Sequence, residues 1–410
     1  MSGGRAEVSA VLFGLKQQVL EAPDDARTYS DLAVALGDLG RDASAFRAFD
    51  LALRCDGRNP IILSNLGVCL RRSGAIEKAA DCFASALRMQ PDFAEARFNL
   101  GLLRLAQERF EEGFDLYESR FSMRNSVGLH AKPEVDLWTP GVCVDRLLVV
   151  AEQGLGDVLQ FVRFLPLLRT WAQRLILVVK SELRPLLLAA GLADQVLTPD
   201  AVAGARVDAW IPLMSIPAAV RRAGRVVSLE RGMPYLSVEP GLRQTWERQL
   251  VRRGVPLIGL CWQGNPEAEQ GDFRGRSLEL EALLPAVQAL PADWLALQKG
   301  DGLSQLNDCL FRDRFHSAQP LLSRSSSFLD TAAAACCCDL VVTVDTVVAH
   351  LCGALGLPVW LLLPYAPDWR WGLQDGPSSW YPTIRLLRQD KPGNWDTPLA
   401  RLAAILASAC

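Results

Sequence analysis

The sequence predicts a chain of two kinds of structure: an N-terminal helical solenoid, then an α/β region made of two lobes with parallel sheets. Three observations carry this. A period of 34 residues runs through the first third of the chain. Beyond about residue 145 the pattern changes to short β-branched apolar runs alternating with helical stretches, the signature of parallel sheet. Two strand–turn–helix units, one at Glu152–Asp157 and one at Asp345–Gly356, put a polar turn where a strand hands over to a helix. Backbone N–H groups are unpaired there and an anion is welcome, so facing turns imply a ligand held between two lobes.

The 410 residues allow two or three domains with sizeable cores. Half are hydrophobic and 22% charged, an ordinary globular balance. A net charge of -3 gives no general pull toward nucleic acid or anionic membrane, and no nucleic acid is expected as a partner. Among the 11 cysteines there is no C-x-x-C pair, and the 3 histidines form no metal set with them. Cys336-Cys337-Cys338 sit in an Ala-rich helical run. Reduced, mostly buried thiols and a cytoplasmic setting are expected. No signal peptide is expected, since the start lacks a basic region followed by an apolar core and a small-residue cleavage site. From Thr346 to Pro367 there is no charged residue, yet Gly353, Gly356, Pro358, Pro364 and Pro367 break the run. A membrane helix needs about 20 uninterrupted residues, so none is expected.

In chain order, residues 1–24 read as an amphipathic helix with Val8, Val11, Leu12, Leu15 and Val19 on one face. The 34-residue period then aligns Leu32, Leu66 and Leu100; Ala33, Gly67 and Gly101; Ala45, Ala79 and Gly113; and Phe49, Phe83 and Tyr117. Small residues let paired helices approach, and the aromatic plugs the gap to the next pair. Over residues 26–122 this resembles the tetratricopeptide repeat, with Pro91 at its closing proline. Arg104 and Arg120 replace apolar or small residues in the third copy, as where a solenoid meets something else. A generic helical bundle is the plain alternative. A repeat domain over 1–122 would hold a peptide or protein segment in its groove, and 123–144 would be a linker. Strands are expected at 147–150, 175–179, 195–197 and 207–211 in a first lobe (145–242), and at 257–262, 294–297, 340–344 and 359–363 in a second (243–410). A helical connector falls at 243–253, and a C-terminal helix over 398–409 would pack back across the lobes.

The turn Glu152-Gln153-Gly154-Leu-Gly156-Asp157 follows a strand and opens a helix. Its glycines permit close backbone approach. Asp157 there is either an N-cap or a general base. Ala151 to Pro166 resembles the first turn of heptosyltransferase-like GT-B glycosyltransferases, and in particular a bacterial group that carries tetratricopeptide repeats ahead of the catalytic module. Val344-Asp345-Thr346-Val-Val-Ala-His350 resembles that family's D-T-x-x-x-H segment. Leu363-Pro-Tyr365-Ala-Pro-Asp368-Trp369-Arg370-Trp371, Trp380-Tyr381-Pro382, Leu297-Gln298-Lys299-Gly300 and Gly259-Leu-Cys-Trp262-Gln263-Gly-Asn265 fit as well. The resemblance spans about 145–395.

It implies a GT-B fold of two Rossmann-like lobes and an inverting, metal-independent transfer of a sugar from a nucleotide donor to a hydroxyl, with no cofactor. Asp157 would take the acceptor's proton. Lys299, Arg274 or Arg276 would face the departing phosphates, together with the N–H groups opening the helix after Thr346. Asp345 would cap that helix, because a carboxylate beside a diphosphate repels it, while Thr346 meets the phosphates. His350, one turn on, is either a donor contact or a core histidine. Trp262 and Gln298 either line a base or sugar pocket or, for Trp262, pack in the core. Gln263 and Asn265 join the donor side. Gln153, Gly154, Gly156, Gln160, Tyr365, Asp368, Trp369 and Arg370 are expected on the acceptor and sugar side; the 368–371 loop is alternatively lobe packing. The repeats would choose the acceptor, a protein or peptide. Two rivals remain: a repeat scaffold with a degenerate transferase module, and transfer to a lipid-linked glycan.

Overall fold

The structure, a computed structural model, describes residues 3–124, 128–229, 232–267, 269, 275–325 and 327–408, with the backbone alone over 3–10. Two compact units divide it, Met1–Ser126 and Val127–Cys410.

In the first unit α1 (Gly3–Glu21) precedes three helix pairs: α2 (Ala26–Asp38) with α3 (Asp42–Cys55), α4 (Pro60–Arg72) with α5 (Ile76–Met89), and α6 (Ala94–Ala106) with α7 (Phe110–Tyr117). Side-chain caps start the first helix of two pairs. Asp25 accepts from Arg27 N at 3.1 Å, and Asn59, followed by Pro60, accepts from Ile61 N at 3.1 Å. The 34-residue period is a packing period. Phe49, Phe83 and Tyr117 are buried, and a Cβ on Gly67 would lie 2.6 Å from the Phe83 ring. On α1, Leu12, Leu15 and Val19 join the core, but Val11 is 54% exposed and lies off that stripe; the Val8 side chain falls outside the described residues. Arg120, one period after Ala86, is fully buried, with its guanidinium 4.8 Å from the Tyr117 ring and 2.6 Å from the Glu118 carboxylate. The Arg104 Nε lies 3.0 Å from the Glu112 carboxylate.

The second unit begins with a lobe of β1 (Val144–Val150), α8 (Leu155–Phe161), α9 (Leu165–Leu168), β2 (Ala172–Val178), α10 (Arg184–Ala190), β3 (Gln195–Leu197), β4 (Ala209–Pro212) and α11 (Ile216–Arg222). Its four strands are parallel in the order β3-β2-β1-β4. Leu147 to Val150 are buried outright, as a parallel strand covered on both faces requires. The stretch read as a linker belongs to this lobe from residue 128 on. Leu129 pairs with Glu152, and Trp138 is buried with its indole N–H donating to Val142 O at 2.8 Å. A buried tryptophan needs a partner for that N–H, and finding one locks the segment down.

The second lobe follows α12 (Pro240–Gln249) and contains β5 (Leu257–Cys261), α13 (Leu284–Ala289), β6 (Asp293–Ala296), α14 (Gln319–Arg324), α15 (Phe328–Ala335), β7 (Leu340–Val344), α16 (Val347–Ala354), β8 (Val359–Leu363), β9 (Gly376–Pro377), β10 (Ile384–Arg388) and α17 (Asp396–Ser408). Its sheet runs β6-β5-β7-β8-β10-β9, parallel except for the β9 edge. β10 was not expected from the sequence. Helix α17 does not cross the lobes: Leu399, Leu402 and Leu406 enter the second lobe's core beside Leu280 and Leu387. The expected architecture, helical repeats ahead of two Rossmann-like α/β lobes, is the one found.

An aromatic seam joins the lobes. Phe161 lies 6.1 Å from Trp380 and 6.4 Å from Trp369, and Arg163 donates to Trp380 O at 2.8 Å and to the Tyr235 hydroxyl at 3.1 Å.

Candidate active site

The C-terminal ends of β1, β2, β5, β6 and β7 all open onto one cleft of about 580 Å³, the side on which open α/β sheets hold ligands. Its wall on the first lobe is the 153–157 turn. Gln153 adopts φ of 62°, a left-handed backbone uncommon away from glycine, and its carbonyl meets His130 Nε2 at 3.0 Å. That bend presents Gly154, Gly156 and Asp157 to the cleft. Asp157 is not the N-cap. Gly154 holds that place, and Asp157 sits three residues in, where its Oδ2 accepts from Gly154 N at 2.7 Å. Its Oδ1 lies 2.5 Å from Arg370 Nη2 of the second lobe. Burial pushes the Asp157 carboxyl above its usual range; Arg370, the Gly154 N–H and Arg276 pull it back, while Asp368 adds to the rise.

Gly156 has a separate reason to be glycine. A Cβ there would stand 2.7 Å from His350 Cδ2, so the two lobes touch at this point with no room for a side chain. His350 is almost fully buried, lies 5.0 Å from Trp371 in a stacked arrangement, and has Nδ1 2.9 Å from the Tyr381 hydroxyl. Burial, with Arg370, Arg163 and Arg276 nearby, drives its proton affinity well down, so it is neutral. It lines the cleft and also packs the lobe contact.

On the second lobe Thr346, not Asp345, caps α16: its hydroxyl accepts from Val348 N at 3.2 Å. This reverses the expectation. Thr346 reaches the N–H because its backbone is extended at the strand end, while Asp345 lines the cleft, 6% exposed. Burial lifts the Asp345 carboxyl to about 6, Asp368 adds to this, and Arg276, the Trp371 indole and Arg370 oppose it. Gln298 also lines the cleft, but its side chain braces two loops: the carbonyl accepts from Trp262 N and Gln263 N at 3.1 and 3.0 Å, and the amide donates to Gln263 O and Asp301 O at 2.9 and 2.8 Å. Gln263, Asn265, Arg276 and Lys299 line the same wall. The Arg276 guanidinium packs on Gly264, where a Cβ would lie 2.6 Å from it, with Glu269 3.5 Å away. The Lys299 ammonium donates to the Ser325 and Ser327 carbonyls, and burial lowers its proton affinity. Arg274 and residues 270–273 before it lie outside the described residues.

Four expected site residues do not line the cleft. Trp262 is fully buried in the second lobe's core. Trp369 packs in the aromatic seam, 5.7 Å from Trp380. Gln160 is buried behind Asp157, where its Oε1 accepts from Arg370 Nε at 2.7 Å. Tyr365 is half-buried past β8, its N–H donating to Gln389. Aromatic residues at strand ends fit a core as well as a sugar face, and here the core holds Trp262 and the seam Trp369. Asp368 and Arg370 do line the cleft. The sequence reading missed Lys180, Cys261 and Phe328, which share that surface, and Arg163 in the seam. Lys180 follows β2 directly, so its strand-end position was the available signal. Among the described residues no group of three or more His, Cys, Asp or Glu is placed to hold a metal ion, and no helix is long and apolar enough to cross a membrane.

Comparison with known proteins bears on each unit in turn. The tetratricopeptide repeat profile matches residues 65–121. Those residues are tetratricopeptide repeat. Protein FlbA of Caulobacter vibrioides is 25% identical over 451 residues, spanning 94% of this chain and 74% of its own, so the likeness runs through both units. Among solved structures, E. coli ADP-heptose LPS heptosyltransferase II matches with a TM-score of 0.44 and 14% identity over 65% of this chain and 99% of its own. MamA matches with a TM-score of 0.26 and 17% identity over 30% of this chain and 71% of its own. The chain joins tetratricopeptide repeats to a two-lobed α/β module.

Proposed function

We propose that the second unit transfers a sugar from a nucleotide-sugar donor to an acceptor hydroxyl, with inversion and without a metal. The observation that carries this reading is the opposition, inside one cleft, of Asp157 on the first lobe to Thr346, Arg276 and Lys299 on the second. The cleft's size supports it, since small-molecule pockets run about 300–1,000 Å³. Asp157 accepts the acceptor's proton as the new bond forms. The anomeric carbon turns oxocarbenium-like while negative charge gathers on the departing diphosphate. The N-terminal end of α16, with Arg276 and Lys299, stands ready for that charge. Gln263, Asn265 and His350 complete the donor side, and Gln153, Gly154, Gly156 and Asp368 the acceptor side. The repeats select the acceptor, a protein or peptide, because a solenoid groove suits an extended chain.

One observation favours a second reading, a scaffold without turnover: Lys299 and Gln298 already satisfy protein groups. Calorimetry of the purified chain, without added metal, against nucleoside diphosphates and nucleotide sugars separates the two. Binding of one nucleotide class, weakened in Arg276→Gln but retained in Asp157→Asn, supports the transferase and names its donor. Silence across the panel leaves the scaffold.

A further inference from the structure

We infer that Arg370 is a positioning residue that couples the two substrates: it covers the base until donor phosphates draw it away, so the donor must bind before the acceptor can react. This rests on the transferase reading above.

Arg370 lies in the loop after β8, 6% exposed, with each end of its guanidinium engaged. Nε donates to Gln160 Oε1 at 2.7 Å and Nη2 lies 2.5 Å from Asp157 Oδ1, both on the first lobe. Nη1 donates to Asp368 Oδ1 at 2.7 Å on its own lobe, and that carboxylate also accepts from Arg370 N at 3.0 Å. One side chain therefore ties the base, the helix behind it and the opposite lobe together. Because the other Asp157 oxygen accepts from Gly154 N, a hydroxyl approaching Oδ1 meets the guanidinium first. Arg370 also faces the cleft that holds Thr346 and Arg276. A planar guanidinium matches phosphate oxygens as well as carboxylate oxygens, so a diphosphate in that cleft competes directly for Nη2.

The charges facing Asp157 set the consequence. Burial, the largest effect, and Asp368 disfavour its ionised form, whereas Arg370, the Gly154 N–H and Arg276 favour it; burial also lowers the proton affinity of nearby His130. Turning Arg370 onto phosphate leaves burial and Asp368 less opposed. The carboxylate then gains both an open oxygen and a stronger pull on a proton, which a general base needs.

The test is calorimetry of the full chain with the nucleotide sugar found to bind, at mildly acidic pH, in buffers of different ionisation enthalpy. Binding is expected to take up protons in the native protein. Asp157→Asn should bind within about twofold and take up fewer, any remainder belonging to Asp345 in the same cleft, and Arg370→Gln should bind at least about tenfold more weakly with uptake reduced to that remainder. The acid limb of kcat/KM should move to higher pH in Arg370→Gln; a merely structural loss would lower the rate at every pH and leave the limb in place. Binding without proton uptake, uptake undiminished in Asp157→Asn, or an unmoved acid limb overturns the inference while the transferase stands. No binding at all removes the transferase reading and this one with it. If Arg370→Gln does not fold, the proton count of the native chain against Asp157→Asn decides alone.

Discussion

Asp157 and Asp345 are both carboxylates whose charge the cleft disfavours, and they should respond to substitution in opposite ways. Asp157→Asn removes the proposed base while keeping the Gly154 contact's shape; transfer should fall by about 10²- to 10⁴-fold with donor affinity unchanged, as steady-state kinetics beside calorimetry would reveal. Asp345 has a folded-state proton affinity raised from 3.8 to about 6, so the native protein binds more protons than the unfolded chain across that window. Stability is therefore lost as pH rises through it. Asp345→Asn should raise stability by about 1–3 kcal/mol well above pH 6, seen as a higher melting temperature, and bring little near pH 4, in paired melts across pH. A higher native melting point at alkaline pH would sink this. At this scale the sequence named most of the cleft-lining side chains because the turns that carry them are local. It misassigned the α16 cap because Asp345 and Thr346 are adjacent and equally able to cap, and only the strand-end backbone chooses between them. Gln160 and Trp369 could not be separated from the cleft, since their burial depends on the other lobe.

Glycines at helix contacts govern the next scale. Gly67→Ala would press a methyl into the Phe83 ring of α5, at 2.6 Å, and should cost the first unit about 1–3 kcal/mol in chemical denaturation. Adding Phe83→Leu should recover part of it. Gly156→Ala would press against His350 and should weaken donor binding and stability together; His350→Ala in the same chain should restore stability but not the packing on Trp371. A double-mutant cycle with no coupling between 156 and 350 would contradict the contact. Repeats and central strands were legible because a 34-residue period and runs such as Leu147 to Val150 are strong local signals. β10 was not, because Ile384-Arg-Leu-Leu-Arg388 carries two arginines, and its pairing with β8 comes from residues far away in sequence. The 128–142 segment looked like a linker for the same reason: only its pairing with Glu152 and Trp210 gives it a place.

Across the whole molecule, the division at Ser126 gives each unit its own core, so the two should fold when made separately. Residues 127–410 alone should retain nucleotide binding within about threefold of the full chain and lose only what the repeats contribute to acceptor choice. A fragment that fails to fold, by circular dichroism and a cooperative melt, would argue against this division. Within the second unit, the lobes should melt together while Arg163 bridges them. Arg163→Met removes the Arg163 hydrogen bond to the Trp380 carbonyl and should cost about 1–3 kcal/mol, splitting one calorimetric transition into two. The two-lobed plan was readable from alternating strands and helices, but the seam was not, because its aromatics lie on separate lobes and look like ordinary core in either alone.

The contact between Gly156 and His350 also constrains how this chain can vary over time. Neither position is free to change first: a side chain at 156 has nowhere to go until 350 shrinks, and a smaller 350 leaves a gap until 156 fills it. Related chains should therefore inherit the two turns as one lineage trait, gaining or losing the glycine and the histidine together, even though long stretches between them drift independently.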